Sequence, residues 1–396
     1  MKKKTLVAVA IALLVVLIIV GGLVFANIWT KPLGKALGLP TRTPFQKSQQ
    51  IISTSPLPTQ TLQGTELPKI TELPTVSVPT QVFTPTPKQP VCGSDVPVLY
   101  FLVAGADATD PEFRFGLSDV MRIVRIDFMQ PKVSVLTLPR DLWVTYPNIK
   151  NEPQRCPVEG KLNQAFFFGN PGKACYAGSG EGPGLLAETI ASNFDLYADH
   201  YVAINETVFK SLIDAMGGVD LYLENAVDGR PLDETGEATK ENSHGYFPVG
   251  WNHLTGYDAM SFVRIRDRYT EVIRTDHQSL LLCAMKDKMA SPEIITKIPK
   301  MISALINETQ TDLSPAQISQ YLTCLLPKLG GSNLQFTRFP DEWFDKNHRT
   351  LKEGTFVWDI PQEDIKAYLQ KFQADEIPVQ SVDESSKPCP KPPAKN

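Results

Sequence analysis

The sequence predicts an exported α/β protein with a mixed central sheet, preceded by one transmembrane helix and a Pro/Thr-rich stalk. Three observations predict this. An apolar run follows a cluster of N-terminal lysines, many of the 33 prolines fall in one early segment, and short apolar runs then alternate with helical apolar spacing. Strands that alternate with helices are typical of a sheet covered on both faces.

The N-terminal segment has the pattern of a membrane anchor. Lys2, Lys3 and Lys4 precede uncharged, mostly aliphatic residues from Leu6 to Phe25. About twenty helical residues at ~1.5 Å each span the ~30 Å hydrocarbon core of a bilayer. Since lysines stay in the cytoplasm, residues 1–29 are predicted to anchor a single-pass type II protein of the cell membrane, with its C-terminal domain extracellular. The alternative is a cleaved signal peptide, but the run is long for one.

The next segment has a composition that cannot form a core. From Pro40 to Pro90 there are ten prolines and eleven threonines, and the apolar residues show no periodicity. Such a segment cannot bury enough apolar surface to offset the entropy of ordering. Residues 30–92 are therefore predicted to be a disordered, semi-extended stalk, and the polar residues 376–396 a disordered tail.

Residues 93–375 are predicted to form one α/β domain. Apolar runs predict strands, and apolar residues at helical spacing predict helices. Gly217 and Gly218 stop the second of these helices. The predicted strands cover residues 98–104, 120–126, 133–138, 200–204 and 219–223, and the predicted helices cover residues 184–194, 206–216 and 276–289.

Charge and motif content exclude several classes of protein. Lys and Arg number 39 against 43 Asp and Glu, a formal charge of −4, so no basic excess exists for nucleic acid. The chain has no Gly-x-Ser-x-Gly, no Walker loop and no dinucleotide-binding glycine motif. No Cys/His spacing predicts zinc.

The six cysteines fit an exported, disulfide-bonded domain. Cys156–Cys175 would close a Gly/Pro-rich loop. Cys283–Cys324 would join two predicted helices, and Cys92–Cys389 would tie the two ends of the domain together. Six cysteines allow 15 pairings, and free buried thiols are the alternative.

Two carboxylates lie at strand ends. Asp107 follows the first strand, and Asp119 immediately precedes the second. If the strands are neighbours, both side chains reach the same edge of the sheet, where oxygen ligands suit Mg²⁺ or Mn²⁺. The alternative is that each aspartate caps a turn.

Arginines cluster at two further places. Arg140 ends the third strand, with Asp141 beside it to orient the guanidinium or to start a turn. Arg264 and Arg266 alternate along a segment that we interpret as extended, so their side chains should point the same way. Arg274 and Gln278 are four residues apart on one helix face, next to His277. Arginine forks suit phosphate oxygens, so these residues could form a pyrophosphate cradle, or else a salt-bridged surface with Asp267 and Glu271.

These segments resemble the LytR-CpsA-Psr family in order and spacing over about 280 residues. The segments are LVAGAD, SDVMRIVRID, VSVLTLPRD, KLNQAF, YVAIN, LIDAMGGVDL, HLTGYDAMSFVRIRD and the pattern R-x-x-x-Q. The resemblance implies an α/β/α sandwich that encloses an apolar pocket for a polyprenyl tail. Phe166, Phe167, Phe194 and Phe209 could line that pocket, although core packing explains each of them too.

The resemblance also implies an activity and its partners. Members of the family transfer teichoic acids, capsular polysaccharides or related glycopolymers from an undecaprenyl-pyrophosphate carrier to peptidoglycan. The bond formed is a phosphodiester, usually to the C6 hydroxyl of muramic acid. The expected enzyme is therefore a glycopolymer–peptidoglycan phosphotransferase that lies at the lipid bilayer and binds no nucleic acid.

Site residues follow from the same resemblance. Asp107 and Asp119 would hold Mg²⁺ (or Mn²⁺) on the pyrophosphate. The implied catalytic set is Arg140, Arg264, Arg266, Asp267, Glu271 and Arg274, with Asp267 or Glu271 as candidate proton acceptors. The implied pyrophosphate-binding set is Arg140, Arg264, Arg266, Arg274, His277 and Gln278.

The chain departs from the family pattern at two positions. His277 stands where many members have a second arginine, and Glu271 stands where they often have aspartate. Since an ordinary imidazole titrates near pH 6.5, we expect phosphate binding to weaken as pH rises and a His277→Arg change to flatten the pH profile.

Two alternatives remain open from sequence. A polyprenyl-pyrophosphate hydrolase would use the same residues with water as acceptor. A non-catalytic wall-binding or regulatory protein would tolerate the loss of Asp107 and Asp119.

Overall fold

A computed structural model describes residues 29–39, 90–108, 110, 113, 116–150, 152, 154–239, 245–265, 271–306, 308–328, 333–377 and 393. Most of the predicted anchor, nearly all of the predicted stalk beyond Leu39 and almost the whole tail lie outside these residues. Within the described ranges, no helix has the length and apolar character needed to cross a bilayer.

Apolar segments with alternating burial form the strands. Leu102, Ile123 and Leu136 are fully buried at the centres of the first three. The strands are β1 Val98–Ala106, β2 Ser118–Asp127, β3 Lys132–Leu138, β4 Trp143–Thr145, β5 Glu159–Lys161, β6 His200–Ile204, β7 Val219–Leu223, β8 Val227–Asp228, β9 Tyr246–Phe247, β10 Gly250–Leu254, β11 Gln310–Thr311, β12 Leu334–Thr337, β13 His348–Thr350 and β14 Phe356–Trp358.

Two of the helices begin at residues whose side chains cap them. The side chain of Asn205 accepts from the Val208 amide at 2.8 Å, and Thr255 and Asp258 form a capping box. The helices are α1 Leu162–Gly169, α2 Glu181–Phe194, α3 Glu206–Met216, α4 Gly256–Arg264, α5 Glu271–Met289, α6 Ile298–Ile306, α7 Pro315–Leu325, α8 Asp341–Lys346 and α9 Gln362–Gln373.

The central sheet is mixed, as predicted. Its strand order is β11-β6-β1-β2-β3-β12, with β6 parallel to β1 and β12 parallel to β3, and the other neighbours antiparallel. The predicted strand at residues 219–223 exists, but it pairs with β10 in a separate two-stranded sheet. Val219, Leu221 and Leu223 pack there in a second apolar cluster with Phe262 and Leu281, not against the central sheet.

Helices cover both faces of the central sheet. On one face, side chains of α1, α2 and α9 pack against Leu102, Ile123 and Leu136. On the other face, the ring of Tyr321 on α7 contacts Phe101 edge-on, with ring centroids 6.1 Å apart. This is the three-layer α/β/α arrangement that the resemblance implied.

One disulfide follows the prediction and one does not. Cys156–Cys175 is formed, but Cys92 bonds to Cys324, so the expected Cys283–Cys324 and Cys92–Cys389 pairs are wrong. Cys92 lies six residues before the start of β1, and α7 lies over that strand, which brings the two Cα atoms to 5.5 Å. Cys283 is also disulfide-bonded, and Cys389 lies outside the described residues.

The start of the predicted stalk packs on the domain. The Leu33 amide donates to the Leu313 carbonyl at 3.1 Å, and the Tyr201 hydroxyl donates to the Lys35 carbonyl at 3.0 Å. The Ser179 hydroxyl donates to the Ala36 carbonyl at 2.7 Å. The described residues 31–39 are therefore part of the folded unit, and the predicted boundary at residue 30 is too early.

Replacing Gly34 by alanine should detach this segment. An added Cβ would lie 2.6 Å from the Tyr201 hydroxyl oxygen and 3.1 Å from the Thr311 carbonyl oxygen. Since backbone cannot move aside cheaply, we expect hydrogen exchange of residues 31–39 to quicken at least about tenfold. Mass spectrometry of the exchanged full-length protein measures this, with Lys31→Ala as an exposed control. Unchanged exchange in Gly34→Ala would contradict the packing.

Candidate active site

The two strand-end aspartates lie at one edge of the central sheet. Ala106 pairs with Ser118, and Asp107 and Asp119 each follow one member of this pair. The Asp107 amide also donates to the Leu117 carbonyl at 2.8 Å. The Asp107 side chain is 51% exposed and that of Asp119 24%. Because β1 and β2 are neighbours, both carboxylates lie at the same edge of the sheet.

Arg140 is held at the same edge by carboxylates. Its Nη1 donates to Oδ1 of Asp119 at 3.1 Å, and its Nε donates to Oδ2 of Asp141 at 3.2 Å. Nζ of Lys161 donates to the other oxygen of Asp141 at 2.6 Å. Asp141 therefore orients the guanidinium, which was one of the two roles that the sequence left open for it.

An open cavity begins at Asp119 and Arg140. Its empty volume, including the mouth, is about 490 Å³. Arg274, Gln278 and Arg338 also line it, so three guanidinium groups surround one space. The lining also includes the apolar and aromatic side chains of Leu138, Phe339, Phe344 and Trp358. A space lined by several cations and by aromatic rings suits an anionic ligand with an organic substituent.

Arg122 lies buried beneath this cavity. It is 3% exposed, its Nη1 donates to the Thr137 hydroxyl at 2.7 Å, and its Nη2 donates to Oε1 of Gln278 at 3.4 Å. Among the described residues, no carboxylate pairs with Arg122 within 4.0 Å, and its Nε has no hydrogen-bond partner. Burial, and then the charge of Arg274, lowers its pKa to about 10, and the charge of Asp276 opposes this shift only in part. A buried cation in this condition favours an anion nearby.

Arg264 lies at the end of a helix, which corrects the extended interpretation. The capping box of Thr255 and Asp258 starts α4, and Ala259 and Phe262 bury its apolar side, so Arg264 is the last residue of that helix. Its Nη2 donates to Oδ1 of Asp107 at 2.5 Å, and also to Oε1 of Glu206. The alternation argument for Arg264 and Arg266 therefore fails, although Arg264 still reaches Asp107.

Glu206 joins this cluster at the start of α3. Burial, and then its hydrogen bond with Asp107, raises the pKa of its carboxyl group, although Arg264 opposes the shift. Because β6 is parallel to β1, the residues that follow both strands meet at the same sheet edge. That parallel pairing is the signal that could have predicted Glu206 from sequence.

Three implied site residues cannot be placed. Arg266 and Asp267 lie outside the described residues, and so does the side chain of Glu271 at the start of α5. His277 is placed, but it does not line the cavity. Its ring packs on Phe262 at a centroid distance of 5.1 Å, on a different side of α5 from Arg274 and Gln278.

Burial changes the expected titration of His277. It lowers the pKa of the imidazole from 6.5 to about 4, so the ring is neutral throughout the neutral range. His277 therefore cannot supply the partial charge near pH 6.5 on which the expected pH dependence of phosphate binding depended.

The buried imidazole of His277 should instead make the free energy of unfolding depend on pH. The unfolded chain binds a proton at His277 near pH 6.5, whereas the folded chain binds it only near pH 4. The contribution of the neutral imidazole to the free energy of unfolding is therefore complete above pH 6.5 and is lost as pH falls towards 4. Between pH 7 and pH 5, His277→Gln should lose about 2 kcal/mol less of its free energy of unfolding than the wild type. Urea unfolding at both pH values measures this, with the exposed His253→Gln as control. Equal losses would contradict the burial.

Sequence reasoning missed several residues of the site. Arg338 follows β12 and pairs with Asp276 at 3.3 Å, which brings a distant part of the chain to the cavity. Nδ2 of Asn163 donates to Oδ1 of Asp119 at 3.2 Å. No local pattern marks either residue, since each reaches the site through the tertiary fold. Arg122 and Arg125 lie three residues apart in β2, and only the structure distinguishes their surroundings.

Asp107 and Asp119 have the carboxylate oxygens that a divalent cation prefers as ligands. Within the described part of the chain, no three His, Cys, Asp or Glu side chains come together as a metal site. Two carboxylates are nevertheless the usual protein share of Mg²⁺, which keeps water and substrate phosphate oxygens as its other ligands.

The chain is similar to a known family of proteins over most of its length. A model of the LytR_cpsA_psr family matches residues 86–374. TagU of Oceanobacillus iheyensis, named a polyisoprenyl-teichoic acid–peptidoglycan teichoic acid transferase, is 31% identical over 225 residues, 56% of this chain and 61% of that protein. TagV of Bacillus subtilis, with the same description, is 26% identical over 50% of this chain and 45% of its own length. The chain thus spans less than two thirds of these curated relatives.

Solved structures share the fold. The crystal structure of B. subtilis TagV has a TM-score of 0.52 at 21% identity, covering 71% of this chain and 98% of that one. The protein gbs0355 of Streptococcus agalactiae has a TM-score of 0.54 at 20% identity, covering 73% and 92%. A structure of TagT bound to LIIa-WTA has a TM-score of 0.50 at 18% identity, covering 72% and 96%.

Proposed function

Because the chain belongs to the LytR-CpsA-Psr family, we propose that it is a membrane-anchored phosphotransferase. It moves a glycopolymer from an undecaprenyl-pyrophosphate carrier to peptidoglycan and forms a phosphodiester, at the C6 hydroxyl of muramic acid. Teichoic acid is the polymer named for its relatives TagU and TagV, and a capsular polysaccharide is the other polymer class expected from sequence.

The observation that carries this proposal is the buried Arg122 beside Arg274 at the cavity. Arg274 is 4% exposed, and its charge contributes to the lowered pKa of Arg122. Two buried guanidinium groups next to an open space form a site for a multiply charged anion. A pyrophosphate has the charge and the number of oxygens to engage Arg122, Arg274 and Arg140 together.

An apolar strip beside Arg122 supports a lipid-linked donor. Val103 is the cross-strand partner of both Arg122 and Val202, so the three side chains share a sheet face. Val103, Val202, Val124 and Ile204 are only half-buried on that face. The apolar strip begins next to the buried Arg122 and continues across the sheet. In the same way, the apolar polyprenyl chain begins next to the phosphate to which it is bonded.

The four phenylalanines suggested for the lipid pocket serve other contacts. Phe166 and Phe194 are buried in the core on the opposite face of the sheet. Phe209 packs on the second apolar cluster, and the ring of Phe167 lies 3.9 Å from Nζ of Lys173. None of them lines the arginine cavity. Core packing, the other explanation offered from sequence, holds for Phe166 and Phe194.

In the proposed reaction, a muramyl hydroxyl oxygen bonds to the phosphorus on the glycan side of the pyrophosphate. The bond from that phosphorus to the polyprenyl phosphate breaks, and polyprenyl phosphate leaves. Arg140, Arg274 and Arg122 stabilise the negative charge that grows on the leaving phosphate. A carboxylate accepts the hydroxyl proton, and Asp267 and Glu271 remain the sequence candidates.

Asp107 and Asp119 would hold Mg²⁺ or Mn²⁺ at the sheet edge. The cation, when bound, would neutralise phosphate charge and so ease attack by the hydroxyl. Arg264 and Arg140 keep the two carboxylates in place, through Asp107 and Asp119 respectively. The two ion pairs therefore fix the positions of the carboxylates before a cation binds.

Membrane attachment completes the proposal. The donor is a lipid, so an enzyme anchored by residues 1–29 in the cell membrane, with its domain outside, meets donor and wall together. The described segment after the predicted anchor packs on the domain, through Leu33, Lys35 and Ala36.

The proposed function is tested with the full-length protein in lipid vesicles. Undecaprenyl-pyrophosphate disaccharide, peptidoglycan fragments and Mg²⁺ are supplied, and glycan covalently bound to peptidoglycan is measured. The proposal expects this product, and expects none with peptidoglycan omitted. Release of glycan phosphate at the same rate with and without peptidoglycan would instead indicate a hydrolase. Tight donor binding without turnover would indicate a binding protein.

A further inference from the structure

Arg264 bonds to two carboxylates at once at the edge of the central sheet. Its Nη2 donates to Oδ1 of Asp107 at 2.5 Å and also to Oε1 of Glu206. Asp107 is a proposed ligand of the divalent cation, whereas Glu206 is not. The side chain of Glu206 is 13% exposed, and that of Asp107 is 51% exposed. One guanidinium group is therefore shared between an exposed carboxylate and a more buried one.

Backbone hydrogen bonds hold Glu206 within reach of this arginine. Glu206 is the first residue of α3, and its amide donates to the Ala108 carbonyl at 3.3 Å. This bond joins the start of α3 to the segment that follows β1 and carries Asp107. Asn205 caps the helix, and its Nδ2 donates to the Asp110 carbonyl at 3.3 Å. The position of the Glu206 carboxylate therefore does not depend on the arginine alone.

Arg140 has the same arrangement at the other proposed cation ligand. It donates to Asp119 and to Asp141, whose side chain is 13% exposed. Nζ of Lys161 also donates to Asp141, at 2.6 Å. Each proposed cation ligand is thus paired with an arginine that has a second, less exposed carboxylate partner.

A guanidinium group and a divalent cation compete for the same carboxylate. Paired with Asp107 alone, Arg264 would neutralise that carboxylate and repel an approaching cation. Because Glu206 adds a second negative charge, the three side chains together keep one net negative charge with the arginine in place. Glu206 also remains as an acceptor for Arg264 once the oxygens of Asp107 bind a cation, so the arginine keeps an ionic partner.

We propose that Glu206 is a positioning residue for cation binding, which holds the guanidinium of Arg264 when Asp107 binds the divalent cation. The inference rests on the proposed function, which assigns the cation to Asp107 and Asp119. It adds that an arginine and a carboxylate that are not ligands set the affinity for the cation. Arg264 then stays at the sheet edge, where its donors can bind phosphate oxygens.

The test measures affinity for Mn²⁺ in the absence of donor. Full-length protein in detergent is titrated with Mn²⁺, and the unbound ion is followed by its electron paramagnetic resonance signal. Glu206→Gln removes the charge and keeps the shape of the side chain, and Arg264→Gln removes the competing guanidinium. The variant with both changes completes a double-mutant cycle. Asp228→Asn is the matched control, because it breaks a carboxylate–arginine pair outside the cavity.

We expect Glu206→Gln to weaken Mn²⁺ binding about tenfold, and Arg264→Gln to strengthen it about fivefold. In the Arg264→Gln background, Glu206→Gln should change the affinity less than about twofold, because no guanidinium remains to be held. Asp228→Asn should bind Mn²⁺ as the wild type does. The opposite signs of the two single changes are a result that a merely structural role would not produce.

Three results would overturn the positioning role. They are wild-type affinity in Glu206→Gln, weaker binding in Arg264→Gln, and an equal loss on Glu206→Gln in both backgrounds, which would mean that Glu206 acts on the cation directly. The proposed cation site would stand in each case if the Asp107→Asn, Asp119→Asn double variant loses Mn²⁺ binding. Binding that this double variant retains, or a wild type that binds no Mn²⁺, would overturn the cation site as well.

Discussion

Replacing Asp107 and Asp119 together by asparagine is expected to reduce glycan transfer by at least about a thousandfold. A bound divalent cation contributes several kcal/mol to neutralising phosphate charge, and each ~1.4 kcal/mol is a factor of ten in rate. Asparagine preserves the shape of both side chains but removes the charges that hold the cation. Initial rates of transfer with Mg²⁺ measure the loss, and a chelator should reduce the wild type to the same level.

The double variant should remain folded, because the Asp107 side chain is 51% exposed and both residues lie at the rim of the sheet. Asp228→Asn is a matched control, since it breaks a carboxylate–arginine pair of 2.9 Å with Arg230 outside the cavity. Transfer by the double variant within about tenfold of the wild type would show that the aspartates do not bear the cation.

Arg122→Met should separate binding from stability. The free energy of unfolding is expected to rise by about 1 kcal/mol, because methionine fills similar space without a desolvated charge. Affinity for undecaprenyl pyrophosphate should fall about a hundredfold, because hydrogen bonds to charged groups contribute about 1.5–3 kcal/mol. Conversely, the lipid at a hundred times its Kd should stabilise the wild type by about 2.7 kcal/mol.

A second arginine on the same strand gives the control. Arg125 is 6% exposed, but its Nη2 lies 3.4 Å from Oδ2 of Asp127. Arg125→Met leaves that carboxylate without its partner, so it should lower the free energy of unfolding while lipid affinity is retained. Urea unfolding and lipid titration measure both quantities. Equal stability changes in the two variants would contradict an anion site at Arg122.

Apolar runs were sufficient to predict the central sheet. Four predicted strands, at residues 98–104, 120–126, 133–138 and 200–204, lie within β1, β2, β3 and β6. A buried strand needs mostly apolar residues on both faces, so short segments rich in apolar residues indicate such strands. The predicted strand at residues 219–223 was correct locally, but its partner β10 could not be read from sequence, because pairing depends on the whole topology.

Segments with weaker patterns were harder to interpret. Arg264 was assigned to an extended segment because α4 spans only two and a half turns and is followed by extended backbone at Ile265. The packing of residues 31–39 was missed because Leu33, Lys35 and Ala36 interact largely through backbone carbonyl and amide groups. The periodicity of side chains in the sequence cannot predict contacts that backbone groups make.

At the candidate site, sequence order identified residues at strand ends and failed for residues brought in by tertiary contacts. Asp107, Asp119 and Arg140 come together because adjacent antiparallel strands share an edge. Arg338 and Trp358 lie more than two hundred positions after Asp119 in the sequence, and the pairing of β12 and the position of β14 bring them to the site. Neither local charge nor periodicity distinguishes them from ordinary surface residues.

The central claim is that the phosphorus on the glycan side of the donor moves to the wall together with its glycan. The most direct measurement labels that phosphorus with ³²P in undecaprenyl-pyrophosphate disaccharide and follows the label with full-length protein, Mg²⁺ and peptidoglycan fragments. We predict that the label appears in peptidoglycan, in a phosphodiester with muramic acid. Label that stays with the lipid, or that leaves as soluble glycan phosphate, would contradict phosphotransfer to peptidoglycan.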